Sequence, residues 1–86
     1  MRSIWKFELG PRGKILDMPM AAKILKVGQQ QSRIFVWAEV DKDAPEEIYQ
    51  FFVFPTGVEL PEDLGELRYQ DTVFLDNGLV FHVYLR

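Results

Sequence analysis

Seven short apolar runs, rich in aromatic and β-branched residues and without convincing helical spacing, constrain this chain more than any other feature. The clearest are Ile4–Leu9 (IWKFEL), Arg33–Val40 (RIFVWAEV), Tyr49–Phe54 (YQFFVF) and Leu79–Leu85 (LVFHVYL). Such side chains fit a pleated, half-buried surface better than a helix. Several runs are apolar on both faces, and nothing else in the chain reads as a helix that would cover the second face. The pattern predicts an all-β fold, a small antiparallel sandwich or barrel-like sheet of six or seven strands with at most one short helical turn. The spare apolar faces predict self-association, a dimer first.

With 86 residues the chain makes one domain spanning 1–86. A domain of this size buries only about 60–65% of its unfolded surface, so its core must be rich. At 48% apolar and 14% aromatic, it is. The absence of cysteine excludes disulfides and thiolate metal sites. No stretch reaches transmembrane length and the N-terminus lacks a long apolar leader core, so a cytoplasmic protein without a membrane partner is expected.

The net charge of −3 conceals an asymmetry: residues 1–33 carry seven bases against two acids, residues 34–86 eleven acids against three bases. Strands from the two halves that interleave in a sheet would offset one another's charge. The alternative is a basic stripe for an anion beside an acidic lobe for a basic partner.

Along the chain, Ile4–Leu9 places Trp5, Phe7 and Leu9 on one face and Ile4, Lys6 and Glu8 on the other. Gly10-Pro11-Arg12-Gly13 is a turn, and a strand over Lys14–Met18 is expected to stop before Pro19. Ala21–Gln29 reads as a strand, with Ala21–Lys26 able to form a helical turn instead. Gln30-Gln31-Ser32 is the loop into Arg33–Val40, where Ile34, Val36, Ala38 and Val40 oppose Phe35 and Trp37. Asp41–Glu47 is an acidic turn, and Pro61–Leu64 a candidate helical turn. Asn77-Gly78 predicts a two-residue type I′ hairpin between Leu67–Asp76 and Leu79–Leu85. That pairs Leu75 with Val80, Phe74 with Phe81, Val73 with His82 and Thr72 with Val83.

Chemistry-bearing motifs are sparse. His82 is the sole histidine, and a catalytic role would need a spatial partner such as Asp71 or Glu66. No nucleophile, metal cluster or cofactor motif accompanies it, so no catalytic residue, metal or cofactor is assigned. Asp41-x-Asp43 with Glu46-Glu47 imitates a calcium loop, but Pro45 stands where a ligand belongs and the turn glycine is missing. Trp5, Trp37, Tyr49, Phe51, Tyr69 and Tyr84 interleave with Lys6, Arg33 and Arg68, as in single-strand binding barrels. The acidic balance argues against nucleic acid, which needs concentrated positive charge. An acidic mimic of DNA would need the carboxylates of 39–47 and 59–66 on one surface.

The order Ile-Trp-Lys-Phe-Glu-Leu at 4–9, Met-Pro-x-x-Ala-Lys-Ile-Leu-x-Val at 18–27 and Val-Trp-Ala-x-Val-Asp at 36–41 carries a resemblance. Thr56-Gly57, Leu67-x-Tyr69-x-x-Thr72 and Leu79-Val80-Phe81-His82-Val83 continue it. Over nearly its whole length the chain is similar to a family of small uncharacterised proteins of bacteriophages and bacteria, prophage genes among them. The Gln30-Gln31-Ser32 loop departs from the glycine-containing turn expected there. The resemblance implies a genomic setting and no activity.

The expectation is therefore a non-enzymatic β-module that self-associates and acts by binding, with Phe35, Trp37 and Tyr84 as interface candidates. In a phage setting it would be an accessory protein that inhibits a host protein, for instance one of defence. The alternative is a small-ligand binder or nucleotide sponge with a pocket between subunits, built from Lys6, Thr56, Gly57, Arg68, Thr72 and His82.

Overall fold

A computed structural model describes all residues from Met1 to Arg86. Seven strands form in chain order: β1 (Arg2–Leu9), β2 (Gly13–Pro19), β3 (Lys23–Gln30), β4 (Arg33–Asp41), β5 (Glu46–Pro55), β6 (Arg68–Phe74) and β7 (Val80–Leu85). A single 3₁₀ turn over Glu62–Glu66 follows Pro61 and joins β5 to β6. The all-β expectation and its one helical turn both hold.

The strands form two wholly antiparallel sheets, β1-β4-β3 and β2-β5-β7-β6. The Cα atoms span 41 × 31 × 15 Å, the thickness of two stacked sheets. The fold is a sandwich rather than a closed barrel. Edge strands β3 and β6 lie side by side at one seam without a hydrogen-bonded ladder between them. Each carries a bulge, at Leu25 between Ile24 and Lys26 and at Gln70 between Tyr69 and Asp71.

Alternation decides what lies between the sheets. Ile34, Val36, Ala38 and Val40 of β4 meet Tyr49, Phe51 and Val53 of β5 and Phe81, Val83 and Leu85 of β7 in one buried cluster. Trp5, Phe7 and Leu16 pack against its margin. Phe35 and Trp37, and likewise Phe52, Phe54 and Tyr84, point outward and stay half-exposed. The double-sided apolar strands thus have one buried and one outer face within a single chain.

Three local expectations are corrected. First, the β6–β7 hairpin has a three-residue loop, not the two-residue I′ turn. Gly78 N–H donates to Leu75 C=O at 3.1 Å, Leu75 N–H to Leu79 C=O at 2.9 Å, and Gly78 alone has a positive φ, of 89°. This is a type I turn closed by a glycine bulge. The register moves by one: Phe74 opposes Val80, Val73 opposes Phe81, and Thr72 opposes His82. Because side chains alternate, the slip turns Phe74 outward and Val73 into the core.

Second, β2 runs through Pro19. It is an edge strand bonded only to β5, where a missing donor costs nothing. Third, Ala21 is a turn residue with φ 59°, so β3 begins at Lys23 and no helical turn forms there. The Gln31-Ser32 loop is a two-residue turn with both φ values positive, 54° and 59°. Neither residue is the Asn or Gly that this turn prefers. Gln29 Oε1 accepts the Ser32 N–H at 3.0 Å and supports it.

Candidate functional site

The two outer faces of the sandwich differ in character. On the three-stranded sheet, Arg33 and Glu8 form a bidentate pair and Arg2 bonds Glu39. Lys6 Nζ donates to Gln30 Oε1 at 2.9 Å and stands 4.7 Å from the Phe35 ring centre, with the Arg33 guanidinium at 5.7 Å. Arg33 holds the Glu8 carboxyl below the ordinary carboxylate range. Phe35 is therefore capped by its own chain's cations, and Trp37 lies beside Lys26 and Gly28 in the seam cleft of about 420 Å³.

The outer face of the four-stranded sheet is built otherwise. Burial of Tyr49, Phe51 and Val53 turns Ile48, Phe52 and Phe54 outward, and pairing continues the same face through Tyr84 and His82 of β7 to Tyr69 and Thr72 of β6. Aromatic rings run across it: Phe52 stacks on Phe54 at 6.4 Å, Phe54 meets Tyr84 edge-on at 5.7 Å, and Tyr84 meets Tyr69 at 5.5 Å. The Arg86 guanidinium covers Phe52 at 5.4 Å. Ile15, Ile48 and Phe74 lie on the same face, Phe74 at its end beside the seam cleft, and are 59%, 69% and 69% exposed.

A polar chain crosses the same face. His82 Nε2 bonds Thr56 Oγ1 at 2.8 Å, His82 Nδ1 bonds Thr72 Oγ1 at 3.0 Å, and Thr72 Oγ1 bonds Tyr69 Oη at 2.5 Å. A hydroxyl both donates and accepts, so the two threonines satisfy either tautomer of the ring. Beside it, Phe54, Thr56, Gly57, Leu60, His82 and Tyr84 line a cleft of about 260 Å³.

Of the six ligand candidates, Thr56, Gly57, Thr72 and His82 converge here. Lys6 lies on the other sheet, and Arg68 pairs opposite Leu85 at the start of β6. The cations an anionic ligand would need do not gather. Of the three interface candidates, Tyr84 lies on the aromatic face, while Phe35 and Trp37 lie on the opposite one. Asp71 turns its carboxylate to the Thr72 N–H at 2.8 Å and to Lys26 at 3.8 Å rather than to His82, whose nitrogens are both occupied. Asp41 and Asp43 hold the N-terminal ammonium at 3.3 and 3.1 Å. Tyr69, whose hydroxyl extends the chain from His82 through Thr72, is the member that sequence reasoning missed. Its spacing of three from Thr72 signals nothing in a regular strand, and the bulge at Gln70 is what turns both residues outward.

The fold and this surface define a class: a small two-sheet β-sandwich with a charged, self-screened face and an aromatic, open one. The chain belongs to the family described as a domain of unknown function, DUF7352, whose profile matches residues 1–86. No curated protein and no solved structure matches it. No helix is long and apolar enough to cross a membrane.

Proposed function

We propose that this protein is a non-enzymatic module that self-associates and acts by binding a protein partner on the outer face of the four-stranded sheet. The observation that carries the reading is the aromatic row Phe52–Phe54–Tyr84–Tyr69, on a face that also exposes Ile15, Ile48 and Phe74. Aromatic side chains and arginine are the groups that anchor protein interfaces. Size supports it as well. The strands β2, β5, β6 and β7, of 7, 10, 7 and 6 residues at about 3.3 Å each and about 4.8 Å apart, give a face of roughly 500 Å² before side-chain relief. A standard interface takes about 800 Å² from each partner. In the phage or prophage setting that the sequence resembles, the partner is a host protein whose activity the module blocks, working in the host cytoplasm.

Site-specific photocrosslinking tests this reading. Benzoyl-phenylalanine replaces Phe74 or Tyr69 on the aromatic face, or Phe35 on the screened one, in host cells. A discrete protein adduct from positions 74 and 69, absent from 35, is the expected result. Equal adducts from all three positions, or none from any, would refute it.

A small-ligand binder is the second reading, favoured by the cleft beside Thr56 and His82. At a hundred times its dissociation constant a ligand adds about 2.7 kcal/mol of stability. A nucleotide panel that leaves the melting temperature unmoved disposes of this reading.

A further inference from the structure

Four strands end the two sheets, and three of them are obstructed. β2 is bounded by Gly13 at φ 106° and by Pro19. β3 and β6 are bulged and face each other across the seam, tied by Lys26–Asp71 and by Gln29–Asp76. β1 is different. Its eight residues pair with β4 in unbroken register, with no proline and no bulge. An edge of that kind is a template for another strand.

The ladder fixes which groups the edge presents. Lys42 N–H donates to Met1 C=O at 3.1 Å, and this pair extends the β1–β4 register by one residue. Hydrogen-bonded and non-bonded pairs alternate in an antiparallel ladder, so Ser3, Trp5, Phe7 and Leu9 aim N–H and C=O at β4. Arg2, Ile4, Lys6 and Glu8 present theirs to the open edge.

Resting on the self-association proposed above, we infer that β1 pairs antiparallel with β1 of a second copy about a two-fold axis at Trp5. The two three-stranded sheets then become one sheet of six. Three registers let the free backbone groups meet over most of the strand, and charge chooses among them. Centred on Ile4, Arg2 faces the second copy's Lys6. Centred on Lys6, two ammonium groups face each other. Centred on Trp5, Arg2 faces the second copy's Glu8, the symmetry repeats that pair, and Ile4 lies against the methylene stem of Lys6.

Only the Trp5-centred register pairs opposite charges and uses every free group, about eight backbone hydrogen bonds in all. Arg2 is already bonded to Glu39 and Glu8 to Arg33. Across the junction the charges therefore run Glu39, Arg2, then the second copy's Glu8 and Arg33, alternating throughout. The two Trp5 side chains meet as a non-hydrogen-bonded pair, the close arrangement that suits aromatic partners. Such a junction leaves the aromatic face of each copy free.

Sedimentation equilibrium of the full chain tests the assignment with Arg2→Glu, Glu8→Arg, an equimolar mixture of the two, and Ile4→Pro. The wild type is expected to be dimeric. Each charge reversal alone places like charges opposite each other and weakens the dimer by about tenfold or more, whereas the mixture restores it as a heterodimer. Ile4→Pro removes only an outward-facing donor, so it is monomeric with an unchanged far-UV spectrum and cooperative melting. A dimer that all variants retain overturns the β1 assignment and leaves self-association to another surface. A wild type that stays monomeric at the highest concentration overturns self-association together with the β1 assignment.

Discussion

Gly13→Ala and Gly57→Ala make a matched pair that separates strain from collision. Both glycines have left-handed φ, 106° and 96°. At Gly57 a Cβ would meet nothing within 4 Å. At Gly13 it would overlap the Phe51 carbonyl oxygen and stand 3.0 Å from the Phe52 Cα. Those atoms belong to β5, the strand that β2 pairs with, and backbone cannot rotate aside as a side chain would. The left-handed conformation costs a residue with a Cβ about 1–2 kcal/mol. Forcing backbone apart in a packed region adds about 1–3 kcal/mol. The narrower unfolded ensemble of alanine returns about 0.4–1 kcal/mol.

Gly13→Ala is thus expected to cost about 2–4 kcal/mol and Gly57→Ala about 1 kcal/mol or less. For a domain of this size each kcal/mol moves Tm by about 4–8 °C, so the drops are about 10–25 °C and about 5 °C. Thermal and urea unfolding followed by circular dichroism read both. Equal shifts in the two variants would refute the account, because they would mean that the close approach of β2 to β5 carries no weight.

The Gln31-Ser32 turn predicts the opposite sign. Gln31→Asn with Ser32→Gly supplies residues suited to two positive φ angles, and a gain of about 1 kcal/mol, a Tm rise of about 5 °C, is expected in the same melts. The Tyr49 hydroxyl accepts the Ala22 N–H at 3.1 Å and donates to the Pro19 carbonyl at 3.4 Å. Burial, with Glu47 nearby, raises its pKa above the ordinary 10.0. The neutral phenol is the form that folding favours, so its contribution is complete below pH 10 and is lost as pH rises through the raised value. Tyr49→Phe should cost about 1 kcal/mol at neutral pH and flatten the alkaline limb of a stability-versus-pH curve, an outcome that urea midpoints at pH 7 and pH 11 check.

Strand identity was legible wherever alternation was clean. β4 presents Ile34, Val36, Ala38 and Val40 inward as its pattern requires, and Trp5, Phe7 and Leu9 share the inner face of β1. Register was not legible. Asp76-Asn77-Gly78 satisfies both a two-residue loop through Asn-Gly and a three-residue loop closed by Gly78. The choice rests on whether Leu75 accepts from Gly78, which composition does not encode. That one residue of slip hid the site. In the two-residue reading Val73 opposes His82 and Thr72 faces away, whereas the observed register sets Thr72 across from His82 and lets both ring nitrogens find hydroxyls. Thr56, Gly57, Thr72 and His82 were recognisable one at a time. Their meeting, and the part of Tyr69, depended on a turn hydrogen bond and a bulge.

Charge order bears on why the two outer faces differ. The basic first third and the acidic remainder meet as Arg2–Glu39 within the three-stranded sheet and as Lys26–Asp71 across the seam, so part of the asymmetry along the chain is internal pairing. On the three-stranded sheet these pairs, with Glu8–Arg33 and Lys6 over Phe35, cover the aromatic rings with charge that stays solvated. Any partner docking there must strip water from several ions, and exposed ion pairs return little for that cost. On the four-stranded sheet the rings contact one another, and charge is kept to the margins, Arg86 with its partner Asp63 at one and Asp17 and Glu46, opposite Ile48 and Pro19, at another. Burying Phe54, Tyr84 or Phe74 there displaces water from apolar surface at about 25 cal/mol per Å², and the ion pair bordering the rings, Arg86–Asp63, lies at the margin. The same β-strand alternation that built the core therefore made the two outer faces unequal, and under the proposed binding role the lower desolvation cost favours the aromatic one.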